Sequence, residues 1–494
     1  MEFADIHPLS LIIFLPAVGA LLIALIPRLD AGAIKRIAAF FTFASFAISV
    51  ALFAFFDLSD SGYQFVEKVS WISQIDVHYH LGVDGLSLPL VILTTLLGCI
   101  AVFVSWKIEL RPKEYFAWLL ILETSILGVF CSLDLLLFFL FWEVEVIPMY
   151  FLISIWGGGR RAYSAIKYVI FTMFGGAMML AGILTLYATA GTFDVTELAR
   201  TDFSGVVAVI PLAATFWLLL TAFAIKLPVF PLHTWLPDAH TDAPTAVSVM
   251  LAGSLLKMGG YGMIRMCVTI FPDIARDYAP ILVILAVIGV LYGAAVTMRQ
   301  TDLKRLIAYS SLSHMGYVLL GIFALSDLSM TGAALQMFSH GIVTGLLFAM
   351  VGLVYDKTHT RNIPELGGLA RRMPIIVLVF SIAGLASLGL PGTSGFVAEF
   401  TVFLGSFTST AVAGIKIYTL LGALAIVVTA GYILWMLERV FYREPKPKLE
   451  GVKDADRMEM AYIFTLVVVI MLVGIYPRIL TDVIDTWVTA MPLP

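Results

Sequence analysis

Apolar residues run along this chain in blocks of about twenty, separated by short polar stretches. A helix needs about 20 predominantly apolar residues to cross the hydrocarbon core of a bilayer. By that rule fourteen segments qualify, near 9–27, 34–56, 84–106, 114–132, 134–156, 163–188, 207–227, 244–265, 279–298, 304–325, 329–355, 374–410, 415–440 and 459–477. The twelfth is too long for one span, and LGLPGTSG at 388–395 interrupts it. The seventh meets Pro228 and Pro231 directly after Lys226, so it breaks as well. The pattern predicts an all-α polytopic membrane protein of about fourteen transmembrane helices, with helices 7 and 12 discontinuous.

Composition agrees. Of 494 residues, 60% are hydrophobic and only 13% charged, about half the charge of an ordinary soluble domain. The net charge of −4 is scattered over loops, which argues against nucleic-acid binding. Cys99, Cys131 and Cys267 lie in apolar runs without CxxC spacing, so they form no zinc or iron–sulfur motif on their own. There is no GxGxxG or Walker loop, hence no nucleotide signature. The first apolar run lacks a small-residue cleavage site and reads as a retained span. Basic residues check the count independently, because they concentrate in the loops on one side of a membrane. Alternate loops, from Arg28, Lys35 and Arg36 through Arg299, Lys304 and Arg305 to the 439–457 cluster, hold 22 of the 30. The intervening loops hold six: Lys68, Arg200, Arg265, Arg276, Lys416 and Arg478. Lys226 and Lys257 remain, both inside spans.

An ionisable group in the hydrocarbon region costs at least a few kcal/mol, so it reads as functional by default. Besides the two lysines, the spans carry Glu123, Glu143, Glu145, His314, His340 and Glu399. Residues two apart on a helix are separated by about 200°, so Glu143 and Glu145 face opposite sides, and spacing alone does not choose between them. The breaks at Lys226-Leu227-Pro228 and Leu390-Pro391-Gly392 lie five spans apart. An odd offset inverts topology, so spans four to eight and nine to thirteen read as inverted repeats with a site at their broken helices. The units expected are 1–110 (helices 1–3), 111–275 (helices 4–8), 276–445 (helices 9–13) and 446–494 (helix 14). Glu143 and Lys226 are matched in spacing by His314 and Glu399, an acid–lysine pair in one half and a histidine–acid pair in the other. Lowering a lysine pKa by roughly three units costs about 4 kcal/mol, and moving a charge through 150–200 mV is of the same order, at about 2.3 kcal/mol per 100 mV. A buried lysine with a switchable acid partner therefore matches the energy scale of a proton pump.

Four stretches carry a family resemblance: LLLFFLFWEVEVIPMYFLISIWGG, the segment from FAIKLPVFPLHTWLPDAH to LLKMGGYGMIRM, DLKRLIAYSSLSHMGYVLLG and LGLPGTSGFVAEFTVFLGSF. They resemble the antiporter-like membrane subunits of respiratory complex I (NADH-quinone oxidoreductase), most of all the subunit M, or chain 4, family, over about residues 80–445. The resemblance implies fourteen helices with two inverted five-helix repeats and a proton channel lined by charged residues. Carried over by motif, Glu143 of FWE is the helix-five glutamate paired with Lys226, and it is the FWE match that selects it over Glu145. Lys257 is the central helix-eight lysine, and Glu399 is the terminal helix-twelve acid. His233, His314 and His340 match the polar residues linking them, and Glu123 takes a family position on helix four.

The resemblance also implies partners. Neighbours would be the L- and N-type antiporter-like subunits and a peripheral arm, in a bacterial inner membrane, with thylakoid and mitochondrial inner membranes as alternatives. No cofactor is expected in this chain; NADH or ferredoxin, FMN, iron–sulfur clusters and quinone would belong to partner subunits. Sibling subunits and multisubunit sodium/proton antiporter chains typically place lysine at the helix-twelve position, so Glu399 favours subunit M. The second glutamate of WEVEVIP resembles the cyanobacterial and chloroplast type, whose electron donor is ferredoxin. The rival readings are a sodium/proton antiporter subunit and a scaffold that only spaces true pumps.

Overall fold

In a computed structural model of the chain, residues 6–203, 208–491 and 493 are described. The first residue expected in the seventh span, 207, lies outside them. The chain is helical almost throughout: α1 Pro8–Leu25, α2 Ala31–Ala54, α3 Ser87–Val104, α4 Pro112–Cys131, α5 Leu135–Trp156 and α6 Arg161–Ala190 come first. The seventh helix is split into α7a Leu212–Lys226 and α7b Trp235–Asp242. Then follow α8 Thr245–Val268, α9 Pro272–Thr297, α10 Leu303–Phe323 and α11 Asp327–Thr358. The twelfth is split into α12a Pro374–Ser387 and α12b Ser394–Thr408, ahead of α13 Ile415–Tyr442 and α14 Arg457–Ile475. Among the described residues, twelve helices are long and apolar enough to cross a membrane, and both helices expected to be discontinuous are split.

Local chemistry sets the helix ends. Asp30, Asp134 and Asp302 cap α2, α5 and α10 through side-chain bonds to first-turn amides, and Ser326 and Asp456 form capping boxes. Proline opens α1, α4, α9 and α12a, where its missing N–H costs nothing. The helices nearest the centre are apolar all round: α8 and α11 are wholly buried within their most apolar stretches. Those two helices carry Lys257 and His340.

Three features were not expected. Between α2 and α3 an antiparallel hairpin forms, β1 Gln64–Ile72 with β2 Val77–Val83. After α14 a short helix, α15 Arg478–Val488, turns an apolar face containing Leu480, Val483, Ile484 and Trp487 into the protein. And α8 is not a regular helix: its turns widen to π geometry at Leu251–Leu255 and again at Met263–Val268.

Two basic residues assigned to loops are instead buried. Arg265 sits in the second π segment, paired with Asp84 and faced by the rings of Tyr63, Tyr261 and Trp487. Lys304, in the first turn of α10, donates to the Ala243 carbonyl at 2.5 Å. Counting charges by loop misplaces them because both stems are long enough to reach inward from a helix end.

Candidate functional site: a line of buried charges

The first group gathers where α7a stops. Lys226 is the last residue of α7a and is 1% exposed. Its ammonium donates to Glu145 and, at 3.1 Å, to the Tyr168 hydroxyl, which donates to the other Glu145 oxygen at 2.5 Å. The rings of Trp142 and Tyr168 lie 5.4 and 5.3 Å from the ammonium, within cation–π range. The expected pairing of Lys226 with Glu143 is therefore corrected: the partner is Glu145. The reason is the 200° rotation between the two acids, together with a slight break of α5 at Glu145, which turns that carboxylate toward α6 and α7a. Glu143 faces α6 at Gly176, where a Cβ would lie 1.9 Å from Glu143 Oε1, and that oxygen has no hydrogen-bond partner.

The break itself is held open by hydrogen bonds to the backbone. The Trp235 indole N–H takes the Ile225 carbonyl at 2.9 Å, and the Val229 amide takes Ala224 at 2.8 Å. α8 comes close to the break at Gly259, where an added Cβ would meet the Leu227 amide at 2.5 Å. Two residues away, and so on the opposite side of α8, Lys257 turns from the break toward α11.

Lys257 begins the second group. It is fully buried, and its ammonium reaches the Ala252 carbonyl, which the widened turn leaves free, and His340 Nδ1 at 2.8 Å. The His340 and His314 rings are 5.7 Å apart. His314 Nδ1 lies 3.0 Å from Glu399 Oε1, and its Nε2 is 3.2 Å from the Ser387 hydroxyl. Glu399 points into the α12 break, 3.0 Å from where a Cβ on Gly389 would lie. A small cavity lined by Gln336, Ser339, Ser387 and the two histidines connects these groups. So Lys257, His340, His314 and Glu399 form one line from α8 across α11 and α10 to α12b.

Other expected residues stand apart. His233 lies in the α7 break and packs against Phe230 and Tyr292, without a partner on Nδ1. It does not join Lys226 to Lys257. Glu123 is buried against Gly98 of α3, away from the line, with Oε1 unpartnered. Tyr168, His240 and Lys304 were not named as site members from the sequence, and Glu145 was passed over for Glu143. Glu145 and Tyr168 complete the Lys226 group. His240, buried and stacked on Phe348 at 4.6 Å, has no partner on either ring nitrogen, and Lys304 shares that end of α7b. The HTWLPDAH motif contained His240, and its second histidine was the available signal.

With this geometry in place, the chain can be compared with known proteins. Residues 132–426 match the family model described as NADH:quinone oxidoreductase/Mrp antiporter, TM. The chain is 44% identical to NAD(P)H-quinone oxidoreductase chain 4 1 of Synechococcus elongatus, covering 97% of this chain and 90% of that protein. It is 42% identical to NADH-quinone oxidoreductase subunit M of Rhodobacter capsulatus, covering 96% and 94%. Among solved structures, a chain of respiratory complex I from Thermus thermophilus superposes with a TM-score of 0.87 at 28% identity, covering 98% of this chain and all of that one. A chain of the Mrp complex from Dietzia shares the fold at 21% identity, with a TM-score of 0.86.

Proposed function

The chain belongs to the NADH:quinone oxidoreductase/Mrp antiporter membrane-subunit family, and from that premise we propose that its buried charges form the proton path of a redox-driven pump. It is a proton-translocating membrane-arm subunit of the complex I type, the chain called subunit M or chain 4 in its relatives. Neighbouring membrane subunits of the same complex are its partners. Quinone reduction takes place in other chains, where we place the flavin, the iron–sulfur clusters and the electron donor, whether NADH or ferredoxin.

The observation that carries this reading is the sequence Lys257–His340–His314–Glu399, in contact at its two ends and facing across a small cavity in the middle, where the histidine rings are 5.7 Å apart. His340 accepts from Lys257 at Nδ1, so its proton sits on Nε2 and faces the cavity. His314 donates from Nδ1 to Glu399, which leaves Nε2 to accept from Ser387. A proton passed from Lys257 to His340 thus displaces one at Nε2, and the cavity has room for about one water to carry it onward. Glu399 receives it beside the α12 break. The first group acts as the gate. While Lys226 is bound to Glu145 its ammonium is stabilised; drawing the pair apart costs about 3–5 kcal/mol, comparable with one charge moved through a potential of 150–200 mV at about 2.3 kcal/mol per 100 mV. Glu143, which also borders α6 and whose Oε1 has no partner, is the alternative acceptor when the pair opens. The gate and Lys257 then belong to the repeat 111–275, and His340, His314 and Glu399 to the repeat 276–445, so the path crosses from one to the other.

Replacing Lys257 by Met in the assembled complex tests this. Proton pumping per electron should fall while the complex still assembles, and undiminished pumping would reject the path and favour a scaffold. Glu399 rather than lysine on α12b speaks against a sodium/proton antiporter, and sodium-dependent transport by the purified complex would reverse that preference.

A further inference from the structure

Away from the charge line, α1 and α4 pack side by side but leave a groove of about 460 Å³ between them. Its floor is small on both sides, with Ala17, Ala20 and Ala24 on α1 and Ala117 on α4. Trp118 forms one wall and is held in place by stacking on Phe151, 5.0 Å between ring centres. The α1 stretch from Ala17 to Ala24 spans about 10 Å at 1.5 Å per residue, the depth of part of one leaflet.

One end of the groove is polar. There the Lys113 ammonium donates to the Ile26 carbonyl at 3.0 Å, which ties the start of α4 to the end of α1. Arg28 and Arg111 flank it; both are exposed and both hold left-handed backbone angles that turn the chain at this rim. Glu114 also lines the groove; over the two segments that meet here, 26–36 and 107–114, six basic residues stand against the three carboxylates of Asp30, Glu109 and Glu114. The start of α4 adds the positive end of a 20-residue helix. This rim belongs to the basic-loop side, the side that faces the anionic leaflet.

We propose that this groove seats an acyl chain of an anionic phospholipid whose phosphate lies at Lys113, Arg28 and Arg111. An apolar groove in a bilayer has no hydrophobic reason to prefer one lipid over another, because lipid tails are as apolar as the groove. Selection therefore comes from the headgroup, and basic pockets between transmembrane helices on this side are the places where anionic headgroups bind.

The test uses the whole complex reconstituted in vesicles holding equal amounts of photoactivatable phosphatidylglycerol or phosphatidylcholine, with the labelled peptides mapped. Phosphatidylglycerol should label 17–25 and 117–121 at least about fivefold more than phosphatidylcholine, since each basic residue at the phosphate supplies about 1 kcal/mol. K113Q should lower that preference by about fivefold, and A117W, which fills the groove, should remove labelling by both lipids; electron transfer should stay unchanged in each. Equal labelling by both lipids makes the occupant ordinary boundary lipid and overturns the proposal. No labelling by either means a protein neighbour covers the groove, which overturns it too. Should A117W fail to assemble on a native gel, the K113Q comparison decides alone.

Discussion

At the scale of single residues, Glu143 and Glu145 separate charge stabilisation from proton transfer. Glu145 is fully buried and bonded to both Lys226 and Tyr168. Glu145→Gln leaves an ammonium buried without its counter-charge, a loss of about 3–5 kcal/mol. Glu143→Gln removes a carboxylate that holds no ion pair, so its structural cost should stay below about 1 kcal/mol, the range of a substitution that breaks no buried pair. Both variants should pump poorly, but only Glu145→Gln should lower the melting temperature of the assembled complex. A stable Glu145→Gln complex beside an unstable Glu143→Gln complex would restore the motif-based pairing. The sequence could not decide this: FWEVEV says that the acids face apart, and which one meets Lys226 depends on how α5 bends at Glu145.

At the scale of elements, the breaks in helices 7 and 12 were legible because Pro228, Pro231 and Pro391 interrupt a helix and Gly389 and Gly392 admit the left-handed turns that a break needs. Gly389 and Gly392 do hold positive φ, 79° and 91°. The π turns of α8 were not legible. They lie where α8 packs against α3, α7a and α11, and nothing in LAGSLLKMGG announces an extra residue in a turn. Their consequence is large, since the widened turn frees the Ala252 carbonyl for Lys257. Gly259 and Gly260 make a test of how tightly α8 is set against the α7 break. A Cβ at 259 would meet backbone, the Leu227 amide at 2.5 Å and the Phe223 carbonyl at 2.7 Å, whereas at 260 it would meet the flexible Met337 sulfur at 2.7 Å. Gly259→Ala should therefore cost about 1–3 kcal/mol of overpacking and reduce the proton-to-electron ratio; Gly260→Ala should be milder on both counts. Equal effects from the two would mean that the break tolerates displacement.

At the scale of the whole molecule, the charge alternation read from the loops reappears as contacts. Lys107 and Lys357 share Glu459, Arg361 reaches the Thr241 carbonyl and Arg372 that of Leu449, all among loops and helix ends on the side assigned as basic. The other side is organised by the hairpin, which a search for 20-residue apolar runs passes over, although VHYHLGV alternates as a strand should. Its anchor is Asp194, which accepts from Lys68 at 2.8 Å, pairs with His80 at 3.0 Å and caps Thr196. Burial alone would raise this carboxyl's pKa, but the bonds from His80, Lys68 and Thr196 outweigh it and hold the pKa well below the usual carboxylate range. A lowered native pKa means that the folded state binds fewer protons, so this anchor contributes fully above about pH 4, the unfolded value. It is lost only as pH falls through the lower native value. Backbone amides of 64–83 should then keep their hydrogen-exchange protection from pH 7 down to about 4.5, once intrinsic rates are corrected. Asp194→Asn should raise their exchange at pH 7 about tenfold, the equivalent of about 1.4 kcal/mol, within the 1–3 kcal/mol expected when a buried charge-assisted bond is lost. If the hairpin of the unaltered protein loosens between pH 6 and 5, a group other than Asp194 holds it, and the dock would respond to the pH range in which a proton pump works.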